Sequence, residues 1–205
     1  VTDWRVYLVT DPAARGGVVQ TALAAARAGA GVVQLRDKHA SDDAMIAQAR
    51  ALKAGLDPLG VPLIVNDRIA VAQAVGAAGV HVGQGDDSAA RARAVLGPGA
   101  IVGLSVETDA QLAAVDWGTV DYIGASPVYA TPTKPDHAAP LGLDGLARLC
   151  AGARGPVVAI GGLGVDNAAA IRRAGAAGVA VVSAICGAED PGAATRRLLQ
   201  AWEDA

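Results

Sequence analysis

Phenylalanine is absent from the 205 residues, tryptophan and tyrosine occur three times each, and aromatic residues make up only 3% of the chain. A core must therefore be built from small aliphatic side chains, and 52% of the residues are hydrophobic, with 26 glycines among the rest. That composition suits helices packed closely on a sheet. Cysteine occurs twice, at Cys150 and Cys186, with no CxxC spacing, which excludes a disulfide framework and a zinc-type cluster. Both read as small packing residues. His39, His81 and His137 fall into neither metal-site nor catalytic-triad spacing. The formal net charge is −3, and lysine and arginine are scattered, so no nucleic-acid footprint is legible. Apolar runs break well before about 18 residues, and no charged-then-apolar leader opens the chain. These absences predict a soluble cytoplasmic protein with neither a nucleic-acid nor a membrane partner, and they leave its oligomeric state undefined.

What is present is a repeat. Short, β-branched apolar runs recur about every 25 residues: "RVYLVTD", "GVVQLRD", "VPLIVND", "GVHVGQ", "IVGLSV", "DYIGAS", "VVAIGG" and "GVAVVSAI". Ala-rich stretches with helical spacing lie between them, such as "DDAMIAQARALKAGL" and "DNAAAIRRAGAAG". Strands buried on both faces read as continuous apolar runs, and their alternation with helices implies a parallel sheet. Eight units predict an α/β chain forming a single (β/α)8 TIM barrel over residues 1–205. A doubly wound open sheet is the rival, because strand count does not prove closure. Asp190 followed by Pro191 reads as an N-cap and first helical residue, and Asp166 as the opening of another helix. The long irregular stretch "YATPTKPDHAAPLG" after strand six reads as a functional loop.

Barrel active sites are built at the C-terminal ends of the strands, and the polar residues collect there. Gln34, Arg36 and Lys38 alternate at the end of strand two and so share a face. Asn66 and Asp67 end strand three, Gln84 and Asp86 follow strand four, and Ser105 ends strand five. Thr131, Thr133 and Lys134 follow strand six, Gly161 and Gly162 strand seven, and Ser183 strand eight.

Plainer alternatives stand beside each. Arg36 and Lys38 can lie in solvent or pair with Asp37 and Asp42. Asp67 can cap the helix that follows it, and Asp86 or Asp87 the next one. His81 reads as a hydrogen-bonded barrel residue, and the tyrosines, Tyr129 included, as mainly packing. Taken together, however, two carboxylates on neighbouring strands beside three cations suggest Mg²⁺ and a polyanion sharing one pocket, since Mg²⁺ needs only one or two carboxylates besides water and phosphate oxygens. The glycines after strand seven and Ser183 suggest a second anion site.

The motifs "YLVTD" at 7–11, "QLRDK" at 34–38, "ND" at 66–67, "GVHVGQGD" at 79–86, "TPTK" at 131–134, "AIGGL" at 159–163 and "VVSAI" at 181–185 together resemble the thiamine-phosphate synthase family over essentially the whole chain. The resemblance implies joining of 4-amino-5-hydroxymethyl-2-methylpyrimidine diphosphate to hydroxyethylthiazole phosphate, or its 2-carboxy form, with loss of pyrophosphate through a dissociated pyrimidine cation. By the same resemblance, Gln34, Leu35, Arg36, Asp37, Lys38, Asn66, Ser105 and Lys134 hold the pyrimidine diphosphate. Thr131, Pro132, Thr133, Gly162, Val182 and Ser183 hold the thiazole phosphate, and Asp67 and Asp86 bind Mg²⁺. Arg36, Lys38, Lys134 and Ser105 are the implied catalytic set. Two departures are visible: Val106 and Glu107 follow Ser105 where many relatives carry a Thr-His or similar pair, and Ser126 precedes Pro127 where glycine is more usual. A thiazole tautomerase-like or non-catalytic thiazole-phosphate-binding paralogue is the alternative, and it needs only the second anion site.

Overall fold

The structure is a computed structural model that describes residues 1–85, 88–131 and 139–205. The eight apolar runs are eight parallel strands: β1 (Val6–Val9), β2 (Val32–Leu35), β3 (Leu63–Asn66), β4 (Gly79–Val82), β5 (Ile101–Val106), β6 (Tyr122–Ala125), β7 (Val157–Ile160) and β8 (Gly178–Val181). Neighbours in sequence are neighbours in space, and β1 pairs with β8, so the sheet closes. The closed barrel is the predicted architecture, and the open-sheet rival is excluded. No helix among the described residues is long and apolar enough to cross a membrane.

The helices are α1 (Val18–Arg27), α2 (Asp42–Leu56), α3 (Ile69–Val75), α4 (Ala89–Leu96), α5 (Asp109–Ala113), α6 (Gly142–Gly152), α7 (Val165–Arg173), α8 (Ser183–Cys186) and α9 (Pro191–Glu203). Short hydroxyl and carboxylate side chains start several of them by accepting an otherwise orphaned backbone N–H. Ser41 accepts from Ala44, Ser88 from Arg91, Thr108 from Gln111 and Asp190 from Ala193. The Asp190–Pro191 reading therefore holds. Asp166 sits inside the first turn of α7, whose N-cap is Gly164.

Side-chain alternation divides the core into two layers. Val6, Leu8, Val33, Leu35, Val65, Val80 and Ile123 point outward and pack under helical residues such as Ala22, Leu52, Leu146 and Leu198. Tyr7, Val9, Val32, Ile64, Tyr122, Val158 and Ala180 point inward and form a separate cluster, joined by Trp4, Ile101, Ile160 and Val182. The Trp4 ring lies 4.5 Å from that of Tyr122 and 6.3 Å from that of Tyr7, stacking three aromatics at the N-terminal end of the barrel. Two inward rings, those of Tyr122 and His81, need space that glycines on other strands surrender. In register, Gly103 on β5 faces Tyr122 on β6, and a Cβ on Gly103 would lie 2.2 Å from the Tyr122 ring. A Cβ on Gly124 would lie 3.0 Å from the His81 ring.

Replacing Gly103 by alanine is expected to destabilise the barrel by about 1–3 kcal/mol through overpacking, lowering Tm by roughly 2–4 °C per kcal/mol for a chain of this size. A Cβ at Gly99 would meet nothing within 4 Å, so Gly99→Ala serves as the control in the same thermal melts. Equal melting of the two variants would contradict the packing described.

Candidate functional site

A cavity of about 480 Å³ opens at the C-terminal ends of the strands. Gln34, Arg36, Lys38, Asn66, Asp67 and Ser105 line it from β2, β3 and β5, and Thr131, Gly162, Val182 and Ser183 line it from the turns after β6, β7 and β8. Leu35 and Asp37 are in the same segment but not in the lining: the Leu35 side chain is buried in the outer layer beneath the helices. Asp86, Pro132, Thr133 and Lys134 lie outside the described residues.

The turn after β2 is held by groups that leave its two cations available. The Arg36 backbone N–H donates to buried Thr10 Oγ1 at 3.0 Å. Asp37 Oδ1 accepts from the backbone N–H groups of His39 and Ala40 at 2.9 and 3.0 Å. Asp42 pairs with Arg68 at 2.9 Å, and the same guanidinium donates to the Asp37 carbonyl at 3.3 Å. The two carboxylates that were the alternative partners of Arg36 and Lys38 are thus engaged elsewhere. Among the described residues neither cation forms a salt bridge, and both line the cavity.

Asp67 has a φ of 62° and is the only non-glycine residue with positive φ among those described. That conformation is uncommon outside glycine, Asn and Asp, and its persistence requires the surroundings to enforce it. Its backbone N–H donates to the His81 carbonyl at 2.8 Å, and Asn66 Nδ2 donates to Asp67 Oδ1 at 2.9 Å. Asp67 does not cap α3, whose N-cap is Arg68, and Ser88 caps α4 where Asp86 or Asp87 was the alternative. A carboxylate oriented by Asn66 in a cavity that Arg36 and Lys38 also line has the chemistry to hold a hard cation such as Mg²⁺ shared with a phosphorylated ligand.

Across the cavity, Gly161 and Gly162 have φ values of 106° and 65°. A Cβ at Gly161 would lie 2.9 Å from Pro127 Cα, and one at Gly162 would lie 3.0 Å from the Ala130 carbonyl oxygen. Both conformation and space therefore require glycine. Asn167 holds this turn with both ends of its amide: Oδ1 accepts from the Gly164 N–H at 2.9 Å, and Nδ2 donates to the Gly162 carbonyl at 3.0 Å. The Ser126–Pro127 peptide beside it is cis, and Ser126 joins the lining.

Below the rim, polar groups run through the interior in an unbroken series. Gln34 Nε2 donates to Tyr7 Oη at 2.7 Å, Tyr7 Oη and Tyr122 Oη share a hydrogen bond at 2.8 Å, and Tyr122 Oη meets His81 Nδ1 at 2.9 Å. His81 Nε2 meets Ser105 Oγ at 2.9 Å, and Gln84 Nε2 donates to the Ser105 carbonyl at 2.7 Å. His81 is the hydrogen-bonded barrel residue anticipated. Tyr7 and Tyr122, read as packing, are also hydrogen-bonded members of the cavity wall. Burial pushes both phenols well above their usual pKa, so they remain protonated donors. Isolated glycines within strand patterns mark close approach by another group, and Gly103 and Gly124 were the available signal for these rings. Burial likewise pushes the Cys150 and Cys186 thiols up to about 11, in keeping with inert packing residues.

Comparison with known proteins agrees with this architecture. The family model described as thiamine monophosphate synthase matches residues 6–185. A thiamine-phosphate synthase from Xanthobacter autotrophicus is 53% identical over 198 residues, covering 96% of this chain and 94% of the relative. One from Azorhizobium caulinodans is 48% identical, covering 96% and 93%. A solved structure of a thiamine phosphate pyrophosphorylase from Pyrococcus furiosus superposes with a TM-score of 0.91 at 32% identity, covering 99% of this chain and 97% of that one. With the match running from β1 through the short helix that follows β8, the chain belongs to the thiamine monophosphate synthase family.

Proposed function

We propose that the cavity couples 4-amino-5-hydroxymethyl-2-methylpyrimidine diphosphate to hydroxyethylthiazole phosphate, or its 2-carboxy form, and releases thiamine phosphate and pyrophosphate. The observation that carries this reading is the pair of cations Arg36 and Lys38, without a salt-bridge partner among the described residues, on one wall, with the glycine turn and Ser183 on the other. Two phosphorylated substrates need two anion sites within one enclosure. A thiazole-phosphate binder alone would have no use for the first.

In the proposed reaction the bond between the pyrimidine methylene carbon and the diphosphate oxygen breaks, with its electron pair leaving on pyrophosphate. The thiazole nitrogen then supplies a pair to the methylene carbon, so no protein nucleophile is required. Arg36 and Lys38 stabilise the charge that accumulates on the departing diphosphate, and in a low-dielectric cavity this is worth far more than in water. Lys134 has the same role by family resemblance. Asp67, with Asp86, would hold Mg²⁺, which when bound neutralises diphosphate charge. Gln34, Asn66 and Ser105 orient the pyrimidine. Leu35 and Asp37 contribute through their backbone, since the Leu35 side chain faces the helices and Asp37 closes its own turn. Gly162 and Val182 offer backbone to the thiazole phosphate, Thr131 and Ser183 offer hydroxyls, and Pro132 and Thr133 join them by family resemblance.

The test is a comparison of steady-state constants for the two substrates. Arg36→Ala is expected to reduce kcat/KM for the pyrimidine diphosphate by roughly 10²–10³, the usual cost of removing a group that stabilises developing negative charge. Ser183→Ala is expected to raise KM for the thiazole phosphate about tenfold, the loss of one hydrogen bond to a charged group, while leaving KM for the diphosphate nearly unchanged. The reverse ranking would contradict the two-site assignment. For Asp67→Ala, a rightward shift in the Mg²⁺ titration of activity is expected, and a folded variant with an unchanged titration would remove Asp67 from the metal site.

A further inference from the structure

The hydrogen-bond series beneath the cavity carries more information than its distances, because each buried hydroxyl has one proton to donate and two oxygen lone pairs with which to accept. Gln34 presents Nε2 to Tyr7, so Tyr7 Oη accepts there and its own proton must go to its other partner, Tyr122. Tyr122 Oη then accepts from Tyr7, and its proton goes to His81 Nδ1. A neutral imidazole that accepts at Nδ1 carries its proton on Nε2. That proton goes to Ser105 Oγ. Ser105 now accepts from below, which leaves its hydroxyl proton to be donated to something other than His81.

We propose that Tyr7, Tyr122 and His81 are positioning residues which form a one-way hydrogen-bond relay, fixing His81 as the Nε2–H tautomer and Ser105 as a donor toward an acceptor atom of the bound pyrimidine. The inference rests on the proposed coupling reaction only for the identity of that acceptor. Three observations support the relay apart from the distances. Tyr7 and Tyr122 are each about 1% exposed, and a buried donor without an acceptor costs more than a hydrogen bond contributes, so the protons must run in one consistent order along the series, and the Gln34 amide, with Nε2 toward Tyr7, sets which one. Gly103 and Gly124 surrender their side chains at the positions where the Tyr122 and His81 rings pass. Gln84 fixes the Ser105 carbonyl, so the end of β5 is held while the hydroxyl is oriented from beneath. By itself the Ser105 hydroxyl would rotate, and the relay gives that rotor one direction.

The proposal also explains why a cavity for a flat heteroaromatic substrate has tyrosines under it that need not touch the reacting atoms. Their function is exerted through Ser105. Removing the Tyr122 hydroxyl leaves His81 Nδ1 without its donor, frees the imidazole to adopt either tautomer, and lets the Ser105 proton turn inward to Nε2.

Two measurements test this in the full chain. In ¹⁵N-histidine-labelled wild-type protein, long-range ¹H–¹⁵N correlation spectra identify the tautomer of each ring. His81 is assigned by loss of its signals in His81→Gln, and Nε2–H is the expected result. The Nδ1–H tautomer would reverse the relay and overturn the proposal, and the readout does not depend on turnover. The second measurement is a double-mutant cycle on kcat/KM for the pyrimidine diphosphate, with Tyr122→Phe and Ser105→Ala alone and combined. Tyr122→Phe is expected to reduce kcat/KM about tenfold in the wild-type background and less than twofold when Ser105 is already alanine. An equal loss in both backgrounds would assign Tyr122 a structural role and overturn the relay. If Tyr122→Phe does not fold, Tyr7→Phe replaces it in the same cycle with the same expectation. Wild-type protein that makes no thiamine phosphate would refute the coupling reaction, while the tautomer measurement would still decide the relay.

Discussion

The Tyr122 ring, seated in the space that Gly103 leaves open on the neighbouring strand, is the contact on which the arrangement above it depends. An eight-stranded barrel is just wide enough for side chains to fill its interior, so each inward residue determines what its neighbours can be. Here the lower interior is filled by Trp4, Tyr7 and Tyr122, three of the few aromatics in the chain. Their bulk closes the N-terminal end. The phenol hydroxyls on the upper side of that plug then demand partners, and Gln34 and His81 supply them. Packing and polarity are thereby coupled: the same rings that fill the barrel floor orient the polar groups that line the cavity.

At the rim the governing consideration is which charges are already neutralised. Asp42 is paired with Arg68, and Asp37 closes its own turn. Arg36 and Lys38 therefore face the cavity without an internal counter-ion among the described residues. A protein carrying a net charge of −3 has no global field to attract anions, so an anionic ligand must be held by such local arrangements. Asp67, held at positive φ, adds a carboxylate to the lining of the same cavity. The opposite wall uses backbone instead of charge, with the Gly161–Gly162 turn braced by Asn167. The two walls thus differ in chemistry, and the proposed function assigns the diphosphate to the charged one and the single phosphate to the other.

Much of the framework was legible in the chain because strands buried on both faces leave an apolar signature, and all eight runs became strands. Closure was expected from the count of eight units, and the pairing of β1 with β8 across the whole sequence is what shows it. The rim residues Gln34, Arg36, Lys38, Asn66, Asp67 and Ser105 could be read from their positions at strand ends. The relay could not, because Tyr7 and Tyr122 are 115 residues apart and a tyrosine in an apolar run looks like packing. Only the glycines at 103 and 124 hinted that rings pass there. Capping was misjudged near β4 for a local reason: Asp86, Asp87 and Ser88 are all good N-cap residues, and sequence alone does not say which of three adjacent candidates faces the helix.

The account stands on one cavity holding two phosphorylated substrates and joining them. The measurement that addresses it most directly is simultaneous quantification of pyrophosphate and thiamine phosphate after mixing the purified protein with both substrates, with and without Mg²⁺. Formation of the two products in equal amounts, dependent on Mg²⁺, is the predicted result. Binding of the thiazole phosphate without either product, in a folded sample supplied with Mg²⁺, would contradict it and identify the chain as a thiazole-phosphate-binding relative that does not couple.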